Sequence, residues 1–197
     1  SLVLDEIAKA GTKIVSLTVT EAGYDVDPTT RQLNLTLPKV SADLAGGPPR
    51  STIGVLVRGL QRRVNAGSGA ITVLSCDNMF ANGDLTKRLT HQFIDALPAV
   101  EAEALRAWVT DQVTFPNSMV DRIVPGVGQL QRDMAAERLG LVDTVPVGCE
   151  PFRMWVLEDN FAAGRPAWET QGVIFSDNVS GYETLKLRLL NGTHSLL

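Results

Sequence analysis

Cysteine is scarce in this sequence: Cys76 and Cys149 are the only two among 197 residues. Two cysteines do not make a disulfide framework, so a reducing, cytoplasmic setting is the expected one. Histidine is equally scarce. With His91 and His194 added, the metal-ligating types stand scattered along the chain without ligand-like spacing, and no metal is expected. No apolar run reaches transmembrane length, and no signal peptide is expected. No basic run exceeds Arg62-Arg63 in length, so neither a membrane nor a nucleic acid is an expected partner. G-x-S-x-G is absent, which removes support for serine hydrolase chemistry. G-x-G-x-x-G is absent too. Gly67-Ser-Gly69 is too short a match and precedes a strand, whereas the phosphate fingerprint follows a strand and opens a helix. If a dinucleotide binds, its pyrophosphate loop is expected upstream of Ser1. Internal repeats and low-complexity tracts are also missing.

The composition that remains is that of an ordinary globular protein, with 44% hydrophobic residues, 20% charged residues and a net charge of −4. The length suits one sizeable core, or one domain and part of another. Residues 14–20 are rich in β-branched types and read as a strand, and 32–37 alternate polar and apolar as a half-buried strand does. A helix capped by Thr52 is expected to stop at Gly67, followed by a short buried strand over 71–74. Asn82 or Asp84 opens a helix with Leu85, Leu89 and Phe93 along one side, and a second helix covers 100–109. Residues 129–139 read as a helix closed by Gly140. Segments 113–115, 145–147, 152–157 and 172–175 look extended, and a last helix starts near Ser180 and runs to the end.

Strands alternating with helices argue for an α/β domain on a mostly parallel sheet, made mixed by the hairpin-like insertion near the start. Polar clusters follow two predicted strand ends, Ser75-Cys-Asp-Asn78 and 117–121, where open α/β sheets bind ligands. Ordinary loop polarity accounts for them equally well. The chain opens at Ser1 without a methionine and stops at Leu196-Leu197, inside an apolar helix pattern. Natural termini are usually frayed and polar, so an internal piece of a longer protein is expected.

The last helix concentrates the chemistry. With Lys186 at zero and about 100° per residue, Glu183 falls near 60°, His194 near 80° and Asn191 near 140°. Leucines 185, 187, 189 and 190 make the helix apolar nearly all round, which predicts burial. A buried lysine is pushed toward its neutral form and becomes a competent general base. Asn191 can donate to an oxygen that gains negative charge, and His194 can hold a hydroxyl. These groups suit proton abstraction from a secondary alcohol as hydride departs. A second reading remains open: Lys186 and Glu183 as a structural i,i+3 ion pair and His194 as a satisfied core histidine. Tyr182-x-x-x-Lys186 matches the Tyr/Lys pair of short-chain dehydrogenases, but Ser176 and Ser180 lie too near in sequence to serve as the required upstream serine.

Lys186-Leu-Arg-Leu-Leu-Asn191-Gly-Thr-His194 resembles the K-x4-N-x2-H signature of the mannitol dehydrogenase family, the polyol-specific long-chain dehydrogenases and reductases. Further blocks are similar to that family and occur in family order. They are 16–24, Ser75-Cys-Asp-Asn78 with Asn82-Gly83, 115–123, Cys149-Glu150-Pro-Phe152, 155–159 and Gly164-Arg-Pro166. The resemblance implies a metal-independent, NAD- or NADP-dependent oxidoreductase that interconverts a sugar alcohol or aldonate hydroxyl with the ketose or keto-hexuronate. Its small-molecule partner would be a polyol or a keto-sugar acid; oligomeric state is left open. Lys186 would be the general base, and Asn191 and Asn82 would polarise the substrate oxygen. His194 would contact substrate hydroxyls, and Glu183 would lie on the proton's way to solvent. Val120 and Asp121 would lie against the nicotinamide, Asp121 beside the substrate too, and Ser75 to Asn78 would line the same crevice. Glu150-Pro-Phe152-Arg153 and Glu158-Asp159-Asn160-Phe161 tilt the likeness toward fructuronate reductases over mannitol 2-dehydrogenases.

The implied fold is part of a Rossmann-like dinucleotide-binding domain with a mixed sheet over 1–179, its glycine-rich N-terminal half missing. Residues 180–197 would begin an all-α substrate domain. The alternatives are a non-catalytic sugar- or nucleotide-binding module, or a truncated piece inactive by itself. The first of these predicts loss of Lys186, Asn191 or Asn82, and all three are present.

Overall fold

The computed structural model describes residues 2–186. Along the chain come α1 (Leu2–Ala8), β1 (Ile14–Leu17), α2 (Pro38–Leu44), α3 (Thr52–Asn65) and β2 (Ile71–Ser75). Then follow α4 (Asn82–Asp95), α5 (Ala99–Gln112), β3 (Val113–Thr114), β4 (Ser118–Asp121), α6 (Gln129–Leu139), β5 (Met154–Leu157), β6 (Ile174–Phe175) and α7 (Val179–Leu185). Short 3-10 turns occupy Glu21–Tyr24 and Trp168–Gln171.

Every residue of β2 is buried, as a strand covered on both faces must be. It is the middle of a parallel sheet ordered β1-β2-β3, with Ile14 opposite Thr72 and Ile71 opposite Val113. Parallel neighbours need crossovers, and helices supply them: α2 and α3 between β1 and β2, α4 and α5 between β2 and β3. Leu56, Leu60, Leu89, Phe93, Leu105 and Val109 form the main core with β2 and the fully buried Tyr24. A second sheet is mixed: β4 runs antiparallel to β5, and β5 parallel to β6. Val179 of α7 packs there on Met119 and Val156, with Tyr182 beside them. No helix among the described residues is long and apolar enough to cross a membrane.

Local chemistry explains several boundaries. Ser51, one residue before the expected cap, accepts the Gly54 N–H at 3.0 Å and starts α3. Buried Asp43 holds that cap by accepting from the Ser51 N–H and hydroxyl and from the Arg50 N–H. Gly140, at φ 67°, closes α6 as expected. The strand expected over 32–37 does not form. Leu33 makes one isolated antiparallel bridge to Val26. Asn34 then folds its side chain onto the Thr36 N–H and hydroxyl, and Pro38 opens α2. Asx-turn chemistry and an N-terminal proline outcompete the two-residue alternation. The mixed character therefore lies in the β4-β5-β6 sheet. Residues 145–147 form no strand either; the Asp143 carboxylate turns the chain by accepting the Val145 N–H.

Gly83 decides how the two sheets meet. A Cβ there would lie 2.5 Å from the carbonyl oxygens of both Phe115 and Pro116. Only glycine lets the first turn of α4 lie against the backbone that leads from β3 into β4.

Candidate active site

Three segments distant in sequence meet at the Lys186 ammonium. It donates to the Val120 carbonyl at 2.6 Å and to Asn78 Oδ1 at 2.8 Å, and Asp121 Oδ1 lies at 3.5 Å. Those acceptors come from the turn after β2 and from the end of β4. The side chains of Lys186 and Asp121 are 12% and 9% exposed, so the pair sits in a wall of the molecule rather than on its surface. Glu183 and Lys186 do not pair with each other among the described residues, so the structural ion-pair reading does not hold. The Glu183 carboxylate instead accepts the Ala81 N–H at 3.0 Å. Burial pushes the Glu183 pKa up; the Ala81 bond opposes this, and the nearby carboxylates of Glu158 and Asp84 add to it. A small pocket of about 40 Å³ lies between Glu183, Lys186, Asp77, Asn78 and Ser118, enough for a water molecule.

Asn82 and Ser75 lie one layer deeper, both fully buried. The Asn82 amide donates to the Asp77 and Ser118 carbonyls at 2.9 Å each, and its oxygen accepts the Ser118 N–H at 2.9 Å. Both amide hydrogens are thereby committed to backbone carbonyls, and the side chain brackets β4 to the turn after β2. The Ser75 hydroxyl faces Tyr24 and Asp77, at 2.6 and 3.1 Å. The Tyr24 hydroxyl donates to Asp77 Oδ2 at 2.5 Å. Burial and that carboxylate hold the phenol well above its ordinary pKa. Tyr24 is the residue that spacing could not have revealed, since its partners stand more than fifty positions downstream.

A cavity of about 700 Å³ opens beside Lys186. Val120, Asp121, Arg122, Arg153, Trp155 and Trp168 line it with Asn78. Its size is that of a small-molecule site. Trp155 stands opposite Val120 in the β4–β5 ladder, and its ring lies 5.3 Å from that of Trp168. The Trp155 indole N–H is buried without an acceptor among the described residues. Flat aromatic walls, Val120 and one unsatisfied donor fit a planar, polar-edged ring. The pairing register could have flagged Trp155; nothing local could have flagged Trp168. Asn191 and His194 lie outside the described residues. Among the described residues no group of three or more His, Cys, Asp or Glu could hold a metal ion.

Cys76, between Ser75 and Asp77, has its thiol pushed up to about 11, first by burial and then by the Asp77 charge. At pH 8 only about one thiol in a thousand is then thiolate. Iodoacetamide at that pH is therefore expected to label exposed Cys149 while Cys76 stays unmodified in the folded chain. Mass spectrometry of the digest checks this; equal labelling at both sites would contradict the half-buried placement of Cys76 beside Asp77.

A family model described as the mannitol dehydrogenase Rossmann domain matches residues 1–170. Mannitol 2-dehydrogenase of Cereibacter sphaeroides is 46% identical over 186 residues, 94% of this chain and 38% of that protein. D-mannonate oxidoreductase of Escherichia coli K12 is 43% identical over 196 residues, 99% of this chain and 40% of that protein. Among solved structures, the Pseudomonas fluorescens mannitol 2-dehydrogenase ternary complex with NAD and D-mannitol superposes with a TM-score of 0.86 at 42% identity. The match covers 98% of this chain and 39% of that one. The chain thus spans about two fifths of the length of the relatives it matches.

Proposed function

This chain belongs to the mannitol dehydrogenase family, and on that premise we propose that it carries the catalytic base of an NAD(P)-dependent oxidoreductase. The reaction interconverts a secondary hydroxyl of a sugar alcohol or aldonate with the corresponding carbonyl. The observation that carries the reading is the convergence of the Lys186 amine, the Val120 carbonyl, Asn78 and Asp121 on the rim of one cavity. When bound, the nicotinamide cofactor accepts the hydride or supplies it. Val120, Asp121 and Trp155 would face its ring. In the oxidative direction the unprotonated Lys186 amine takes the hydroxyl proton while the carbon gives up hydride. The Val120 carbonyl and Asn78 Oδ1 aim Nζ so that its lone pair needs no search. Glu183, in the small pocket shared with Lys186, stands where the proton leaves for solvent. With the Asn82 amide committed to its bracket, contact with the substrate oxygen falls first on Asn191, with His194 holding a neighbouring hydroxyl. Residues 180–197 would begin the substrate domain, with α7 as its first described element.

The test uses the full-length protein with NADH or NADPH and a panel of fructose, fructuronate, tagaturonate and arabinitol-derived ketoses, following absorbance of the reduced cofactor. Turnover of at least one panel member is expected. Failure with all of them, with both cofactors, would sink the proposal.

A further inference from the structure

Among the described residues Ala81 is one of three non-glycine residues with positive φ, at φ 48° and ψ 51°. An L-residue with a Cβ persists in that conformation only where its surroundings over-determine it. Here it is the N-cap of α4 and offers that helix no side-chain cap. What holds it is its own N–H, donated at 3.0 Å to the Glu183 carboxylate from 102 residues away. The same turn carries Asn78, which accepts from Lys186 at 2.8 Å. Glu183 and Lys186 stand three residues apart on the last described helix, so α7 and its end grip residues 78–81 at two points. One grip is on a backbone amide and the other on a side chain. Neighbouring groups keep the first grip in place. Asn82, next in sequence to Ala81, is locked to the Asp77 and Ser118 carbonyls, and Glu183 is only 6% exposed.

We infer that Glu183 is a positioning residue as well as a proton carrier: its carboxylate holds the strained Ala81 turn, and through that turn it sets where Asn78 places the Lys186 amine. The inference rests on Lys186 being the base proposed above, but its structural half does not. A carrier role alone needs an ionisable group near Lys186 and nothing from Ala81. A positioning role makes the Ala81 conformation part of the loss when Glu183 is removed, and glycine, which adopts positive φ freely, the remedy.

The structural half is read first on the unmutated chain by amide hydrogen exchange. Strong protection of the Ala81 amide is expected, retained in Glu183→Gln, whose amide oxygen still accepts the bond, and lost in Glu183→Ala. Exchange of the unmutated Ala81 amide at the rate of an open turn overturns the inference without any variant. The functional half is a double-variant cycle in the full-length protein. Glu183→Ala is expected to lower kcat about tenfold or more with little change in KM for the cofactor, as a small misplacement of a base does. Ala81→Gly in that background is expected to restore at least about threefold, while Ala81→Gly in the Glu183→Gln background restores nothing, because the turn is already held. A double variant no faster than Glu183→Ala overturns the inference and leaves the carrier role standing. Absence of turnover in the unmutated protein overturns the reaction proposed above, and the exchange result then decides the turn-holding role independently.

Discussion

Replacing Lys186 by methionine is expected to lower kcat of the full-length protein at least about a thousandfold, within the range that a positioned acid–base group contributes. Methionine keeps the length and the apolar stem of the side chain, so α7 should stay seated on Met119 and Val156. What disappears is the one amine that Val120, Asn78 and Asp121 surround. The loss should appear in kcat and in kcat/KM alike, because the proton moves in the transition state and the amine is not what holds the substrate in the ground state. Lys186→Arg keeps a cation but presents a planar fork that does not give up a proton, so it should be about as inactive as the methionine variant. Chemical rescue sharpens the test. Lys186→Ala leaves a gap bounded by the same three acceptors, and added methylamine should restore activity in proportion to its unprotonated fraction. A Lys186→Met enzyme with near-normal kcat at neutral pH would end the base assignment and leave the family membership untouched.

How far this site could be read in advance depends on which residues it joins. The predicted burial of the last helix and the polar set on one side of it are local patterns, and they singled out Lys186 and Glu183. Their partners are not local. Asn78, Val120 and Ala81 reach them from 66 to 108 positions away, and spacing within the helix suggested an ion pair that the fold does not make. The turn after β2 was marked by its place at the end of a buried strand, a rule of open α/β sheets. That Ser75 turns inward to Tyr24 rather than outward to the crevice needed knowledge of where Tyr24 lies. Asn82 is singled out by resemblance, and only the fold brings its two amide hydrogens onto the Asp77 and Ser118 carbonyls. In residues 32–37 the period-two signal was real but weak against Asn34 and Pro38, whose side-chain and ring chemistry act at shorter range than sheet pairing.

Arg63→Met is expected to destabilise the fold by about 2–4 kcal/mol, the cost of losing four charge-assisted hydrogen bonds to backbone carbonyls, one of them fully buried. Arg63 on α3 has no exposed surface. Its guanidinium donates to four carbonyls: Ile7 at 2.9 Å and Lys9 at 2.7 Å at the end of α1, and Gly69 at 2.7 Å and Ala70 at 3.2 Å before β2. The last carbonyls of any helix lack intrahelical donors, and a cation there also meets the negative end of the helix dipole. Burial lowers the arginine pKa, which is the cost of keeping the charge inside. Methionine fills the stem's volume and removes every donor, leaving the buried Ile7 carbonyl unpartnered and those of Lys9, Gly69 and Ala70, which are only partly buried, to water. Arg63→Lys should recover only part of the loss, since a single ammonium on a flexible stem cannot span acceptors on two segments in the way a planar fork does. Urea unfolding followed by tryptophan fluorescence and far-ultraviolet circular dichroism gives the measurement, with the midpoint falling and the slope unchanged. A loss below about 1 kcal/mol would mean that α1 and the lead-in to β2 are held by apolar packing alone. The consequence reaches the site directly. Gly69 and Ala70 set where β2 enters the sheet, and β2 delivers Ser75, Asp77 and Asn78 five to eight residues later. A variant that folds but loosens this bracket should therefore lose activity at temperatures well below its own unfolding midpoint, because Asn78 would no longer hold the Lys186 amine in one place.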